Sequence, residues 1–430
     1  MGRYLIIGAS GLIGSRIAAL LASSGHEIVG AARSVAGAAR RMPAIAWVPL
    51  DIGTASSADW ARHLAGIDAV VNCAGALQSG PADRLGETHA EGPRDLIAAC
   101  RAAGVRRVVH LSAIGVDRAT PTEFSRTKLG GDAALMASDL DWVILRPSVV
   151  LGDAAYGASA LIRGLAALPI LPVMPNTGPL QPVALDDVAE TAIRMLAPGS
   201  ASRVVMELAG PEQLSFTDIV ATYRRWLGLR PARPLRLPGG LARFVYWLGD
   251  CTARFGWRPP VRSTARLEIA RGATGDPGPW QALTGISPRT LAQALAARPA
   301  SVQEGWFARL YLLKPLVLAS LTIFWIGSGL ASLGPGYETG RALLAERVAD
   351  AIAPVLIVAG GLGDLAVGLG IAWRRSAGPA LVAGIAISLL YAVAGTIAAP
   401  RLWLDPLAPL LKIAPIVALH LVALATLEDR

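Results

Sequence analysis

"YLIIGASGLIGSRIAALLASSGHEIVGAARS", residues 4–34, decides the fold of the N-terminal half of the chain. Tyr4 to Ile7 reads as a buried strand, Gly8, Gly11 and Gly14 form G-x-x-G-x-x-G, and Ser15 to Ala22 reads as a helix. A tight turn after a strand needs glycine geometry. A diphosphate must reach backbone amides with no side chain in the way, and the start of a helix offers partial positive charge. A glycine triplet alone is a weak signal that also fits a structural turn; between a strand and a helix it points to a dinucleotide. The next strand, Glu27 to Ala31, should end beside the adenosine ribose. No acidic residue stands there to bind the 2′-hydroxyl of NAD. Arg33 and Ser34 do, with Arg40 and Arg41 beyond, and an arginine can pair with a 2′-phosphate. NADP(H) is therefore expected in preference to NAD(H), the alternative being that Arg33 is a solvated surface residue.

Outward from this stretch, short β-like runs alternate with helical patterns to about residue 305, which predicts an α/β fold with a Rossmann-like, doubly wound parallel sheet. A chain of 430 residues should contain two or more units. Hydrophobic residues make up 53% and charged residues only 17%, a balance that leans toward a membrane protein. The net charge of +9 is spread over scattered arginines with no basic run interleaved with aromatics, which suits a cytoplasmic membrane surface better than nucleic acid. Cys73, Cys100 and Cys251 have neither CxxC nor metal-like spacing, so they fit a reducing compartment and no metal is expected.

Beyond residue 305 the composition changes. Four apolar windows, 315–333, 351–373, 377–399 and 406–427, are each long enough to cross a ~30 Å hydrocarbon core, predicting an all-α four-helix transmembrane bundle. Arg309, Lys314, Arg374, Arg375 and Arg430 fall on one side of it. Arg341, Arg347 and Arg401 fall on the other, diluted by Glu338, Glu346 and Asp405. The bias places the N-terminal domain in the cytoplasm of a multi-pass inner-membrane protein. The N-terminus has one arginine and an apolar stretch, but its spaced glycines and the amphipathic helix after them argue against a signal peptide.

Further motifs follow the glycine turn in order: "PLDI" at 49–52, "DAVVNCAG" at 68–75, "AAGVRRVVHLSAIG" at 102–115, "LRPSVVLG" at 145–152 and "QPVALDDVAE" at 181–190. Together they resemble an atypical or extended short-chain dehydrogenase/reductase, the NAD(P)-binding group that includes NmrA-like proteins and a complex I accessory subunit. The resemblance implies a cofactor-binding set of Gly8, Ser10, Gly11, Leu12, Ile13, Gly14, Arg33, Ser34, Asp51, Ile52, Cys73, Ala74, Gly75, Lys128 and Pro147, with Asp51 near the adenine. It also implies a catalytic Ser, Tyr and Lys: the phenol moves the proton, the lysine holds the nicotinamide ribose, and the serine orients the substrate oxygen. Ser112 and Lys128 are present, but "EFSRTK" at 123–128 has Phe124 in the tyrosine position. Two readings remain: hydride transfer to a quinone-like or other acceptor that finds its proton elsewhere, or a domain that binds cofactor without turnover. Tyr156 is a candidate replacement donor, and a packing residue otherwise.

Three segments are thus expected: 1–225 for the NAD(P)-binding domain, 226–305 as a connector on the substrate side, and 306–430 in the membrane. In the connector, Leu241, Phe244, Val245, Leu248, Cys251 and Phe255 recur at helical spacing beside Arg243, Arg254 and Arg258, as on a helix lying at the lipid surface or packed on the sheet. "SVQEGWFARLYLLKPL", "FWIGSGLASLGPG" and "RLWLDPLAPLLKIAP" resemble a DoxX-like four-helix membrane domain.

Charges in hydrocarbon are costly. Asp364 and His420 would lie at similar depths, about 20 Å and 22 Å from the outer boundary, and are expected to pair directly or through water, as a structural pair or a quinone or proton site. Lys412 should reach the outer headgroups or cap a carbonyl. Ala359 with Gly363 and Ala366 with Gly370 would bring helices close. The function expected is an oxidoreductase on a lipophilic, membrane-borne acceptor; the alternative is a cofactor-bound scaffold or redox sensor in a membrane complex or homo-oligomer.

Overall fold

The structure is a computed structural model and describes residues 1–80, 84–152, 154–345 and 347–428. Glu346 and Arg430, both used above in weighing connector charges, lie outside the described residues. Contacts divide the chain into two units, Met1–Asp250 with Pro259–Ala308, and Cys251–Arg258 with Arg309–Arg430.

The first unit is built on a seven-stranded parallel sheet. Its strands are β1 (Arg3–Ile7), β2 (Glu27–Ala32), β3 (Ala46–Pro49), β4 (Ala69–Asn72), β5 (Arg107–Leu111), β6 (Asp141–Pro147) and the edge strand Val204–Leu208. From that edge the order runs β6, β5, β4, β1, β2, β3, with every pair parallel. Leu5 and Ile7 enter one apolar cluster with Val70 and Val108; Tyr4 and Ile6 enter the other with Val71 and Val109. Both faces are covered, which is why these strands read as nearly unbroken apolar runs. The winding reverses between β1 and β4, so a crevice opens at the carboxyl ends of those two strands. Helices Gly157–Ala167, Phe216–Trp226 and Leu291–Ala296 gather a smaller cluster around Ile162, Ile219, Tyr223 and Leu291.

The expected connector, 226–305, is divided between the units, and most of it belongs to the first. Trp280 is fully buried in a cluster on the sheet, its indole N–H donating to Thr191 Oγ1 at 2.9 Å, and Arg289 bonds Asp187 at 2.7 Å. The amphipathic stretch forms helix Gly239–Arg254. Its Ala242 and Tyr246 are buried, whereas Leu241, Phe244, Trp247 and Leu248 are half exposed. The apolar stripe therefore faces outward.

Among the described residues, three helices are long and apolar enough to cross a membrane: Val302–Leu333, Ala353–Ala372 and Ala377–Ala398. The first starts well before the expected residue 315 and carries Pro315 inside it. The preceding run, with Ala308, Leu310, Leu312 and Leu313, favours helix, and proline within a membrane helix is tolerated. Ile323, Val355 and Ile397 are 71%, 64% and 64% exposed, a surface that suits lipid and not water. Close approach rests partly on other glycines than those expected: a Cβ on Gly361 or Gly368 would come within 2.7 Å of Leu333 or Ile326. Gly370 and Gly363 meet Ala380 and Ile387.

The expected fourth crossing, 406–427, is not a single span. Only Ile413–Ala425 is helical, about 20 Å long. Pro406 and Pro409 remove backbone donors and disfavour helix before them, and Ala408 between them takes a left-handed φ of 47°. Hydropathy counts these residues as apolar and misses the break.

Candidate functional site

The glycine turn leads from β1 into helix α1 (Leu12–Ser23). Gly8 has φ +75°, and a Cβ there would lie 2.9 Å from the Cys73 carbonyl. A Cβ on Gly14 would lie 2.4 Å from the Gly8 oxygen, so only glycine lets the helix seat so tightly on the turn. Gly11 is the N-cap and no side chain caps the helix, so the first amides, those of Leu12, Ile13 and Gly14, have no partner inside it. Bare amides at the end of β1 fit a diphosphate. Tyr156 donates its hydroxyl to the Ser10 carbonyl at 3.0 Å, so it braces this loop, which removes the reason for reading it as a replacement acid.

The other residues of the expected cofactor set stand at or just past the carboxyl ends of neighbouring strands. Arg33 and Ser34 are exposed just past β2. After β3, Asp51 accepts from the Gly53 amide at 3.1 Å, which turns the chain, and Ile52 is buried. Cys73, Ala74 and Gly75 leave β4: the Cys73 amide donates to Ile7 at 2.9 Å, and the Ala74 amide to Asn72 Oδ1 at 3.1 Å. Pro147 ends β6, its carbonyl accepting from the Ile114 amide at 3.1 Å.

Lys128 lies on helix Glu123–Met136, whose start is fixed by a capping box of Thr122 and Ser125. Its ammonium donates to the Leu111 carbonyl at 2.8 Å and the Ala74 carbonyl at 3.4 Å, which places it where β4 and β5 end. Burial pushes its pKa down to about 8, against the pull of Asp132 and Cys73. Phe124, one turn earlier, packs edge-on against His89 with centroids 5.6 Å apart.

His89 does not replace the missing phenol. Its Nε2 accepts from the Ala76 amide at 3.1 Å, and its Nδ1 is 3.1 Å from Thr127 Oγ1, whose own hydrogen goes to the helix carbonyls of Glu123 and Phe124. Both ring nitrogens are engaged, with the proton on Nδ1, and burial holds the imidazole neutral, down to about 2.

Sequence reasoning passed over His89 and a buried group beneath Lys128 made of Asn72, His110, Asp132 and Arg146. Asn72 Nδ2 donates to His110 Nδ1 at 3.1 Å, and Arg146 Nε to Asp132 Oδ2 at 3.0 Å. A signal was present: His110 alternates with Ser112 at the end of β5, and Asp132 follows Lys128 by one helical turn.

In the second unit, Asp364 and His420 do not bond each other directly. Asp364 accepts from Ser328 Oγ at 2.6 Å and Tyr391 Oη at 2.8 Å. His420 accepts from Trp325 Nε1 at 2.9 Å and donates from Nδ1 to the Ile416 carbonyl at 2.8 Å. Trp325 and Ser328 lie on one face of the first span, so each polar residue is met by a different partner on that face. The imidazole fits because position 384 is glycine: a Cβ there would lie 2.4 Å from His420 Nε2. Lys412 is the exposed N-cap of the last helix.

Two stretches of the chain match known families. Residues 8–197 match the NAD(P)H-binding family, and residues 322–421 match the DoxX-like family. The chain joins an NAD(P)H-binding domain to a DoxX-like domain. With its three apolar helices it is a membrane protein. Similar curated proteins include ceramide reductase of Caulobacter vibrioides, 24% identical over 55% of this chain and 74% of its own length. Another is (4-alkanoyl-5-oxo-2,5-dihydrofuran-3-yl)methyl phosphate reductase of Streptomyces griseus, 27% identical over 71% of this chain and 96% of its own. The fold is shared with the Bordetella bronchiseptica enzyme WbmG in complex with NAD, at a TM-score of 0.55 and 18% identity over 72% of this chain and 96% of that one.

Proposed function

We propose that the protein is an NADP(H)-dependent oxidoreductase, anchored in the cytoplasmic membrane with its first unit in the cytoplasm, that acts on a lipophilic acceptor. The observation that carries this reading is the glycine turn with its open amides together with a buried Lys128 bonded to the Leu111 carbonyl, Ser112 being the next residue. When bound, the nicotinamide supplies a hydride. Gly8, Gly11 and Gly14 leave the amides of Leu12 and Ile13 open to the diphosphate, Arg33 stands where a 2′-phosphate would be met, and Lys128 is charged below about pH 8 and can hold the ribose.

Both curated relatives named above bear the word reductase in their names, one of them for ceramide, a lipid, which supports a reductive reaction and a lipophilic acceptor. The outward stripe of Leu241, Phe244, Trp247 and Leu248 beside Arg243 supports a helix resting on the bilayer surface. Lys314 and Arg374 both donate to the Leu427 carbonyl, at 3.4 Å and 3.0 Å, gathering positive charge at one end of the second unit and supporting a cytoplasmic location for that end.

Phe124 favours a second reading, a cofactor-bound scaffold or redox sensor without turnover, because neither His89 nor Tyr156 supplies the missing proton. NADPH oxidation by the purified chain in lipid nanodiscs, with a panel of quinones and long-chain aldehydes and ketones, separates the two. Turnover that needs NADPH and exceeds the NADH rate is expected; tight NADPH binding with no turnover on any acceptor establishes the scaffold.

A further inference from the structure

Beside Lys128, among the described residues, three buried side-chain atoms lack a hydrogen-bond partner: His110 Nε2, Ser112 Oγ and Asp132 Oδ1. The residues are 2%, 7% and 0% exposed. His110 and Ser112 are alternate residues along the chain at the end of β5, so they leave the same face of the sheet, and Asp132 faces them from the helix that carries Lys128.

The surrounding bonds fix what each atom offers. The Ala74 amide donates to Asn72 Oδ1, which turns the Asn72 amide nitrogen toward His110 Nδ1 as a donor. The His110 proton is therefore on Nε2. That N–H points at Asp132 Oδ1 across 3.7 Å, too far for a hydrogen bond. Asp132 Oδ2 is already taken by Arg146, and the Ser112 hydroxyl stands beside Asp132 without meeting hydrogen-bond geometry. A donor, an acceptor and a hydroxyl thus converge unsatisfied in one buried place, where polar groups without partners are costly. One water molecule has the matching set of hydrogens and lone pairs.

We propose that a structural water binds between His110, Ser112 and Asp132 and orients the Ser112 hydroxyl toward the acceptor. The water accepts from His110 Nε2–H and gives one hydrogen to Asp132 Oδ1 and the other to Ser112 Oγ. With its lone pair engaged from behind, Ser112 has its own hydrogen left to donate forward, to the oxygen on which negative charge develops. His110 and Asp132 are then positioning residues, and Ser112 acts by hydrogen bonding in a site that has no phenol. This rests on the oxidoreductase reading above; the water site itself does not.

The test has two arms. In a density map of the full chain in nanodiscs, at a resolution that shows ordered waters, a peak is expected within bonding distance of all three atoms. Ser112 bonded straight to Asp132 with no peak overturns the site. In the second arm, His110→Phe removes the donor and His110→Gln keeps an N–H. Both should bind NADPH as the wild type does, whereas kcat should fall on the order of tenfold for Phe, less than the ~100-fold for loss of an oxyanion donor itself, and stay near wild type for Gln. Equal kcat for Phe and wild type overturns the orienting role. A wild-type chain that turns over no acceptor ends the catalytic reading and this role with it, while the map still decides whether the water is there.

Discussion

Lys128 holds its ammonium 2.8 Å from the Leu111 carbonyl, where β5 gives way to Ser112. Burial brings its pKa to about 8 from an ordinary 10.5, so between these values the unfolded chain keeps a proton that the folded one has lost. Stability from this group therefore rises with pH across that interval. Cofactor affinity runs the other way, because a ribose held by the ammonium loses its partner as the proton leaves. NADPH fluorescence titrations should show weakening binding above about pH 8 in the wild type and a flat profile in Lys128→Met. A profile that Lys128→Met leaves unchanged would remove Lys128 from the ribose.

Gly14→Ala forces a methyl against the Gly8 oxygen, with the Gly8 carbonyl carbon and Ala9 Cα at 2.9 and 3.0 Å. These are backbone atoms that cannot rotate away. A loss of about 1–3 kcal/mol in stability is expected, with a disproportionate loss of NADPH binding. Thermal unfolding with and without NADPH reads both, and undiminished stabilisation by NADPH would show the turn is not the diphosphate seat.

Trp280 is fully buried against the sheet, far along the chain from the strands it covers. Trp280→Ala should cost about 3–5 kcal/mol, and Trp280→Phe, which loses the bond to Thr191 and some volume, much less. The same packing means that a chain ended at residue 225 should fail to fold as a soluble domain; a cooperative unfolding transition from that fragment would contradict the assignment of 259–308 to the first unit.

In the second unit, Asp364→Ala leaves the Ser328 hydroxyl without its acceptor, at about 1–3 kcal/mol if it stays buried, and leaves Tyr391 only its longer bond to the Gly360 carbonyl at 3.2 Å. Asp364→Asn keeps a carbonyl and should lose less. Unfolding in detergent orders the variants, and equal stability of all three proteins would mean that the carboxylate has no structural role.

Local chemistry is what the sequence made legible. The glycine turn, the alternation of strands and helices and the place of Lys128 on a helix all follow from short-range constraints, since Gly8 and Gly14 must be glycine wherever the rest of the chain goes. The coverage of the sheet by Trp280 has no local signature; it exists only after distant segments meet. Asp364 and His420 were matched in depth by counting residues, but counting along an axis says nothing about rotation around it, and rotation chose Tyr391 and Trp325 as partners. Ser112 is legible in the sequence, but its grouping with His110 and Asp132 rests on a tautomer and on distances across two elements.

The last helix, Ile413–Ala425, reaches only about two thirds of the way through a ~30 Å hydrocarbon slab. The peptide groups ahead of it close on themselves in tight turns, Leu402 to Ala399, Leu404 to Arg401 and Ala408 to Asp405, as dry surroundings demand of backbone that is not helical. This corner of the protein is a short rod preceded by a wedge of tight turns, and it should sit most comfortably among thin lipids, so reconstitution in shorter acyl chains is where the protein should be steadiest.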